Sequence, residues 1–131
     1  MIHDYPSADV PLFAPSTFWH ASPELRAEVC NGCGTAGWKG WLVPDTVWGL
    51  TITPACQIHD WMYDEGTTIA HKDAADRAFL NNMLRLVNVR GGWLKRLRSW
   101  RCHTYYVSVS KFGGPAFWNG KNATDDMGAL T

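Results

Sequence analysis

A mainly α-helical fold is predicted for this chain, and three observations predict it. Thr53 suits an N-cap, Pro54 the first helical position and Gly66 a stop, so the segment between them reads as one helix. Over residues 73–88, Phe79, Leu80, Met83, Leu84 and Val87 form one stripe at about 100° per residue, with Arg77, Asn81, Arg85 and Asn88 opposite. After Gly91-Gly92, Trp93, Leu97, Trp100 and Thr104 recur at helical spacing, while Lys95, Arg96, Arg98 and Arg101 crowd the other side. That segment reads as a basic amphipathic helix. From residue 105 to 110 the pattern alternates like a strand, and periodicity does not decide between the two.

The chain has 131 residues, 46% of them hydrophobic, which fits one small domain. A chain of this size buries roughly two thirds of its unfolded surface, enough for one modest core. Pro6, Pro11 and Pro15 exclude a continuous helix over residues 1–21, so this stretch is expected to be an extended arm. Its Tyr5, Leu12, Phe13, Phe18 and Trp19 either cover the domain or dock on a partner, such as another protein of a virion or of a secretion apparatus. Ser22-Pro23-Glu24 then opens a short helix with cap, proline and acidic first turn in the expected order. The domain is expected to run over residues 22–115, with Gly113-Gly114-Pro115 ending its last helix and residues 116–131 forming a loosely held polar tail.

The formal net charge is zero, but its distribution is uneven. Arg77 to Thr124 contains nine Lys or Arg and no Asp or Glu, which argues for an anionic partner. No apolar run is long enough to span a bilayer, and the N-terminus lacks the basic start and apolar stretch of a secretory signal. Either the numbering begins at a mature product, or the chain leaves its cell by another, non-classical route, through a dedicated secretion machine, by lysis from the cytoplasm or on a virion.

The chemistry concentrates at residues 56–64, CQIHDWMYD. On a helix His59 and Tyr63 share a face, and Asp60 is turned away by about 100°. Asp76 projects within roughly 20° of the line through Met83 and Val87, close to the centre of its apolar stripe. A buried carboxylate needs a partner, and His59 Nδ1 is the expected one. Asp73, at the expected helix edge, reads as an N-cap. Upstream lies a glycine-rich loop, CNGCGTAGWKG, over residues 30–40, whose carbonyls turn inward readily. Ca2+ takes about six to eight oxygens, typically carbonyls plus a carboxylate or two. Asp60 supplies a carboxylate and the loop supplies carbonyls. These pieces together suggest ester hydrolysis by a water that His59 deprotonates. Trp38, Trp41 and Trp48 surround the stretch in sequence and suit the lip of a membrane-contacting site.

In combination, residues 54–63, PACQIHDWMY, with Asn31-Gly32-Cys33, Pro44-Asp45, Gly49 and Pro54-Ala55-Cys56, resemble the secreted phospholipase A2 superfamily. The pattern is closest to its short bacterial and fungal branch, and the spacing from Tyr63 to Ala75-Asp76 and Phe79 resembles the viral members. The resemblance covers residues 30–87. It implies two antiparallel catalytic helices, a calcium loop and a further long C-terminal helix packed on the catalytic pair, with Tyr105 or Tyr106 bonding the aspartate. It also implies His59 as general base, Asp76 and Tyr63 in support, and Ca2+ held by Asp60 with Asn31, Gly32 and Gly34. Cleavage at the sn-2 ester of glycerophospholipids follows from it, as does a Cys33–Cys56 disulfide with Cys30 and Cys102 left to pair or stay reduced. Asn31 stands where the family usually has aspartate, so weak calcium affinity is expected.

Three other readings compete. A zinc site has ligand spacing at Cys30 and Cys33 but no second half-site. An HD-type metal phosphohydrolase also uses a His-Asp doublet, but leaves the glycine loop unexplained. A non-enzymatic structural, nucleic-acid-binding or membrane-binding protein would use the basic half and the aromatic arm. A phospholipid membrane is the expected partner, and nucleic acid is not.

Overall fold

The computed structural model describes residues 2–5, 10–30, 44 and 46–118, which are mainly helical. Strands β1 (Ile2–Tyr5) and β2 (Val10–Phe13) lead into short helices α1 (Ser16–His20) and α2 (Pro23–Val29). A small hairpin, β3 (Thr46–Val47) and β4 (Leu50–Thr51), precedes the long helices α3 (Thr53–Glu65), α4 (Ile69–Arg90) and α5 (Lys95–Phe112). Helix α6 (Gly114–Trp118) follows.

The N-terminal stretch is a hairpin rather than an extended arm. β1 and β2 pair antiparallel, with Ile2 opposite Phe13 and Tyr5 opposite Val10. Pro11 is tolerated because a two-stranded ribbon is all edge. Val10 and Leu12 alternate inward, and Tyr5 and Phe18 join them in the core shared with α3, α4 and α5. Buried Asn82 on α4 closes the contact: its Oδ1 accepts from the Phe13 N–H at 2.8 Å and its Nδ2 donates to the Phe13 carbonyl at 2.8 Å. Tyr5, Phe18 and Trp19 thus cover the domain's own core, while Phe13 is exposed.

Helix α2 starts as its sequence dictates, with Ser22 Oγ accepting from the Leu25 N–H at 3.1 Å. Helix α3 starts one residue early: Ile52 occupies the cap position without a side-chain cap, and Thr53 is already helical. Burial of Ile52 sets this start, and its carbonyl accepts from the Cys56 N–H. Gly66 ends α3 with an ordinary negative φ of −68°. Close packing explains the glycine, since a Cβ there would lie 2.9 Å from Phe117 Cε1 and 3.0 Å from His71 Cβ.

Helix α4 begins before the predicted stripe. Thr68 caps it, accepting from the His71 N–H at 3.1 Å, so Asp73 is not the N-cap but an exposed residue inside the helix. The first turn, IAHK, has no apolar stripe to announce it. Phe79, Met83 and Val87 are fully buried, and Leu80 and Leu84 pack at the margin of the same cluster.

Helix α5 is continuous through residues 105–110, where alternation had suggested a strand. Arg98, Cys102, Tyr105 and Val109 form its buried face, while Trp93, Leu97, Trp100 and Thr104 are exposed. Arg98 therefore does not belong to the solvated basic side. Its Nη2 donates to the Trp48 carbonyl at 2.7 Å and its Nε to the Val47 carbonyl at 3.3 Å, while the Tyr105 hydroxyl donates to the Thr46 carbonyl at 3.2 Å. Polar groups that close the carbonyls of β3 and its turn thus take inward positions that a hydrophobicity pattern assigns to solvent. The segment expected to be a loose tail starts as helix α6, with Phe117 fully buried. Among the described residues no helix is long and apolar enough to cross a membrane.

Candidate active site

The short connection at residues 66–68 turns the chain back, so α3 and α4 lie side by side and antiparallel. The pairing of side chains confirms the direction: His59 stacks on Phe79 at 4.6 Å, and further along α3 the Tyr63 ring faces Lys72, nearer the start of α4, at 5.8 Å. His59 and Tyr63, one turn apart, present their rings to the same seam with centroids 4.2 Å apart.

Asp76 is the hub of the seam. Its Oδ1 lies 2.8 Å from His59 Nε2 and accepts from the Tyr63 hydroxyl at 2.7 Å. Its Oδ2 accepts from Lys72 Nζ at 2.8 Å. His59, Asp76, Tyr63 and Lys72 are all buried. Burial alone pushes the Asp76 carboxyl upward, but hydrogen bonds from His59, Lys72 and Tyr63 outweigh it and hold the group below the ordinary carboxylate range. Burial and the adjacent Asp76 charge push the Tyr63 phenol up, so it stays protonated and donates.

His59 meets Asp76 through Nε2, not through Nδ1 as the sequence suggested. Nε2 lies farther from the backbone, and it is the distal nitrogen that spans the gap between two packed helices. An ionised carboxylate only accepts, so Nε2 carries the hydrogen and Nδ1 the lone pair. The roles of the two nitrogens are therefore exchanged, while the principle that Asp76 fixes the tautomer stands.

Lys72 was not anticipated. Its Nζ also donates to the carbonyls of Val109 and Ser110, at 3.2 and 3.3 Å, which ties the last turn of α5 to the carboxylate. The available signal was its spacing four residues before Asp76 on one helix face. Lysine is so seldom buried that this spacing alone does not point inward. The resemblance had implied a tyrosine of α5 in this place. Tyr105 instead bonds Thr46, and Tyr106 lines a cavity of about 290 Å3 together with Asp73, Asp76, Arg77 and Ser110.

The site is closed on another side by α6. The edge of Phe117 meets the Tyr63 ring at 5.3 Å, and Gly113 lies so close that a Cβ there would collide with the Tyr63 hydroxyl and the Val109 carbonyl. Gly113 is required by proximity, at an ordinary φ of −80°.

Asp60 is half-buried, next to His59 and turned from the seam, as its position on the helix requires. Asn31, Gly32, Gly34 and Cys33 lie outside the described residues, as do Trp38 and Trp41. Among the described residues no cluster of three or more His, Cys, Asp or Glu side chains forms a metal site. A site of the expected kind draws mainly on carbonyls, and the half-buried carboxylate of Asp60 is the hard oxygen donor it would take from a side chain. Trp48 is exposed on the β3–β4 turn. Cys56 is buried in the first turns of α3, Cys102 is a buried thiol, and Cys30 Sγ donates to the Gln57 carbonyl at 3.1 Å. His71 accepts from the Thr67 N–H and His103 Nδ1 donates to the Ser99 carbonyl, so each serves its own element away from His59. No family model, curated protein or solved structure matches the chain.

Proposed function

We propose that the chain is a phospholipase A2-like hydrolase that cleaves a fatty-acyl ester of glycerophospholipids, at the sn-2 position by resemblance, with Ca2+ as its cofactor. The observation that carries this reading is the buried histidine held by an ionised aspartate through Nε2, with Tyr63 and Lys72 on the same carboxylate.

In this reading Nδ1 of His59 takes a proton from water as that water attacks the acyl carbon. The Asp76 carboxylate stabilises the positive charge arriving on the ring and preserves its tautomer. The imidazolium then returns the proton to the leaving alkoxide, releasing a fatty acid and a lysophospholipid. Such a base contributes about 100- to 10,000-fold. Asp60, with Asn31, Gly32 and Gly34, would hold Ca2+, which when bound supplies a Lewis-acid charge to the ester carbonyl. Asn31 brings no negative charge, which predicts weak affinity for the ion.

One observation favours a second reading, a non-catalytic structural role for the seam: His59 is fully buried. Fatty-acid release from phospholipid mixed micelles, compared in Ca2+ and in chelator, separates the two. Calcium-dependent release supports the hydrolase, and a folded chain without release supports the structural role.

A further inference from the structure

At the corner between α4 and α5, Arg90, Gly91, Gly92, Trp93, Leu94 and Arg98 line a cavity of about 280 Å3. Gly91 and Gly92, both at positive φ, make the corner and bring bare backbone to the cavity wall. Arg90 stands about 20 Å along α4 from Asp76, at about 1.5 Å per residue, so the cavity is separate from the His59 seam.

Three observations give this cavity its chemistry. First, Arg98 is only 6% exposed, and its bonds run to two neutral carbonyls, of Val47 through Nε and of Trp48 through Nη2. Among the described residues its Nη1 meets no acceptor, and no carboxylate pairs with Arg98 or Arg90. Arginine stays charged when buried, and a buried cation without a counter-charge is unfavourable until an anion reaches it. Second, α5 starts without a cap: Leu94 holds the cap position, makes no side-chain bond there, and no acidic residue stands in the first turn. Lys95 and Arg96 stand there instead, exposed cations at the end of a helix that favours anions. Third, Arg77 to Thr124 contains nine Lys or Arg and no Asp or Glu, so neither α5 nor this half of α4 carries a carboxylate that could neutralise the corner.

We propose that this corner cavity binds the phosphate group of a small, soluble phosphate monoester, held between the buried Arg98 and the exposed Arg90. Guanidinium forks match phosphate oxygens in shape as well as charge. Two of them, beside an uncapped helix start, select a doubly charged group. A monoester phosphate carries about −1.5 to −2 at pH 7, whereas each diester of a lipid or of a nucleic-acid backbone carries a single charge. The inference goes beyond the hydrolase reading, because neither arginine touches His59, Tyr63, Lys72 or Asp76.

The test is calorimetric titration of the full chain, in chelator, with inorganic phosphate and with glycerol 3-phosphate, and with dimethyl phosphate as the singly charged control. Saturable binding of both dianions is expected, with the diester bound about tenfold more weakly or worse. In nitrogen–proton NMR spectra the amide shifts should centre on Gly91, Gly92 and Leu94. Arg98 also fastens the β3–β4 hairpin, so the exposed Arg90 carries the test. Arg90→Gln should keep its circular dichroism and lose affinity about tenfold or more. No saturable binding of either dianion, unchanged affinity in Arg90→Gln, equal affinity for dimethyl phosphate, or amide shifts confined to other residues would each overturn the proposal. So would binding to phosphatidylglycerol vesicles or duplex DNA without binding of the small dianions. Fatty-acid release from micelles should be the same in Arg90→Gln as in the parent chain, so this site and the hydrolase reading stand or fall separately.

Discussion

Lys72 Nζ lies 2.8 Å from Asp76 Oδ2, one turn earlier on the same helix and buried with it, and this ion pair supports the carboxylate from the side opposite His59. Lys72→Met removes the counter-charge and the Lys72 bonds to the Val109 and Ser110 carbonyls, of which the Val109 carbonyl keeps the Gly113 N–H. Breaking a buried pair from one side costs about 3–5 kcal/mol. Urea unfolding should show that loss, and the Asp76 carboxyl should titrate higher in the variant, as read by carbon NMR.

The acid limit of stability follows from Asp76. Its folded pKa is depressed, so in the window between the folded and unfolded values the unfolded chain binds more protons. The stability it contributes is present above the unfolded carboxyl value of about 4 and is lost as pH falls through the lower folded one. Denaturant unfolding followed from neutral to acid pH should therefore give a smaller acid loss for Asp76→Asn than for the parent chain. The variant should be the less stable of the two at neutral pH.

Gly113→Ala tests the packing of α6 on the seam. Its methyl group meets the Tyr63 hydroxyl and the Val109 carbonyl, and neither backbone nor hub yields cheaply. A loss of about 1–3 kcal/mol is expected from overpacking, and about 1.5–3 kcal/mol for Tyr63→Phe, which loses a buried hydrogen bond to an ionised carboxylate. Thermal melts of the two variants should show both losses, and melting unchanged in Gly113→Ala would refute the close packing of α6 on the seam.

The cysteines make a separate prediction. Burial pushes the Cys102 thiol up to about 11, and Cys30 is half-buried with its Sγ donating to the Gln57 carbonyl at 3.1 Å. Native alkylation at neutral pH should label Cys30 faster than Cys102. Under denaturing, non-reducing conditions the proposed Cys33–Cys56 bridge predicts two labelled thiols, read by intact mass, and four labels would refute the bridge.

Much of the helical frame was legible because caps and stripes are local signals. Ser22 with Pro23, and the spacing of Phe79, Met83 and Val87, needed nothing beyond their own helices. The approach of His59 to Asp76 was legible too, because an acid on an apolar stripe must find a partner. What escaped depends on atoms from distant segments. Which ring nitrogen faces Asp76 is set by the gap between α3 and α4, and Lys72 is buried only because carbonyls of α5 receive it. The inward turn of Arg98 likewise depends on β3, some fifty residues earlier. The hairpin was missed because its prolines read as breakers, although an isolated ribbon admits proline at its edges.

In the proposed hydrolase, His59, steered by Asp76, activates a water for ester cleavage beside Ca2+. Fatty-acid release from phospholipid mixed micelles should be measured for the parent chain and for His59→Gln, each in Ca2+ and in chelator, with thermal melts showing both folded. Release that requires Ca2+ and falls by about 100-fold or more in the variant is expected. Equal release from the two proteins, or none from the folded parent chain at saturating Ca2+, would contradict it.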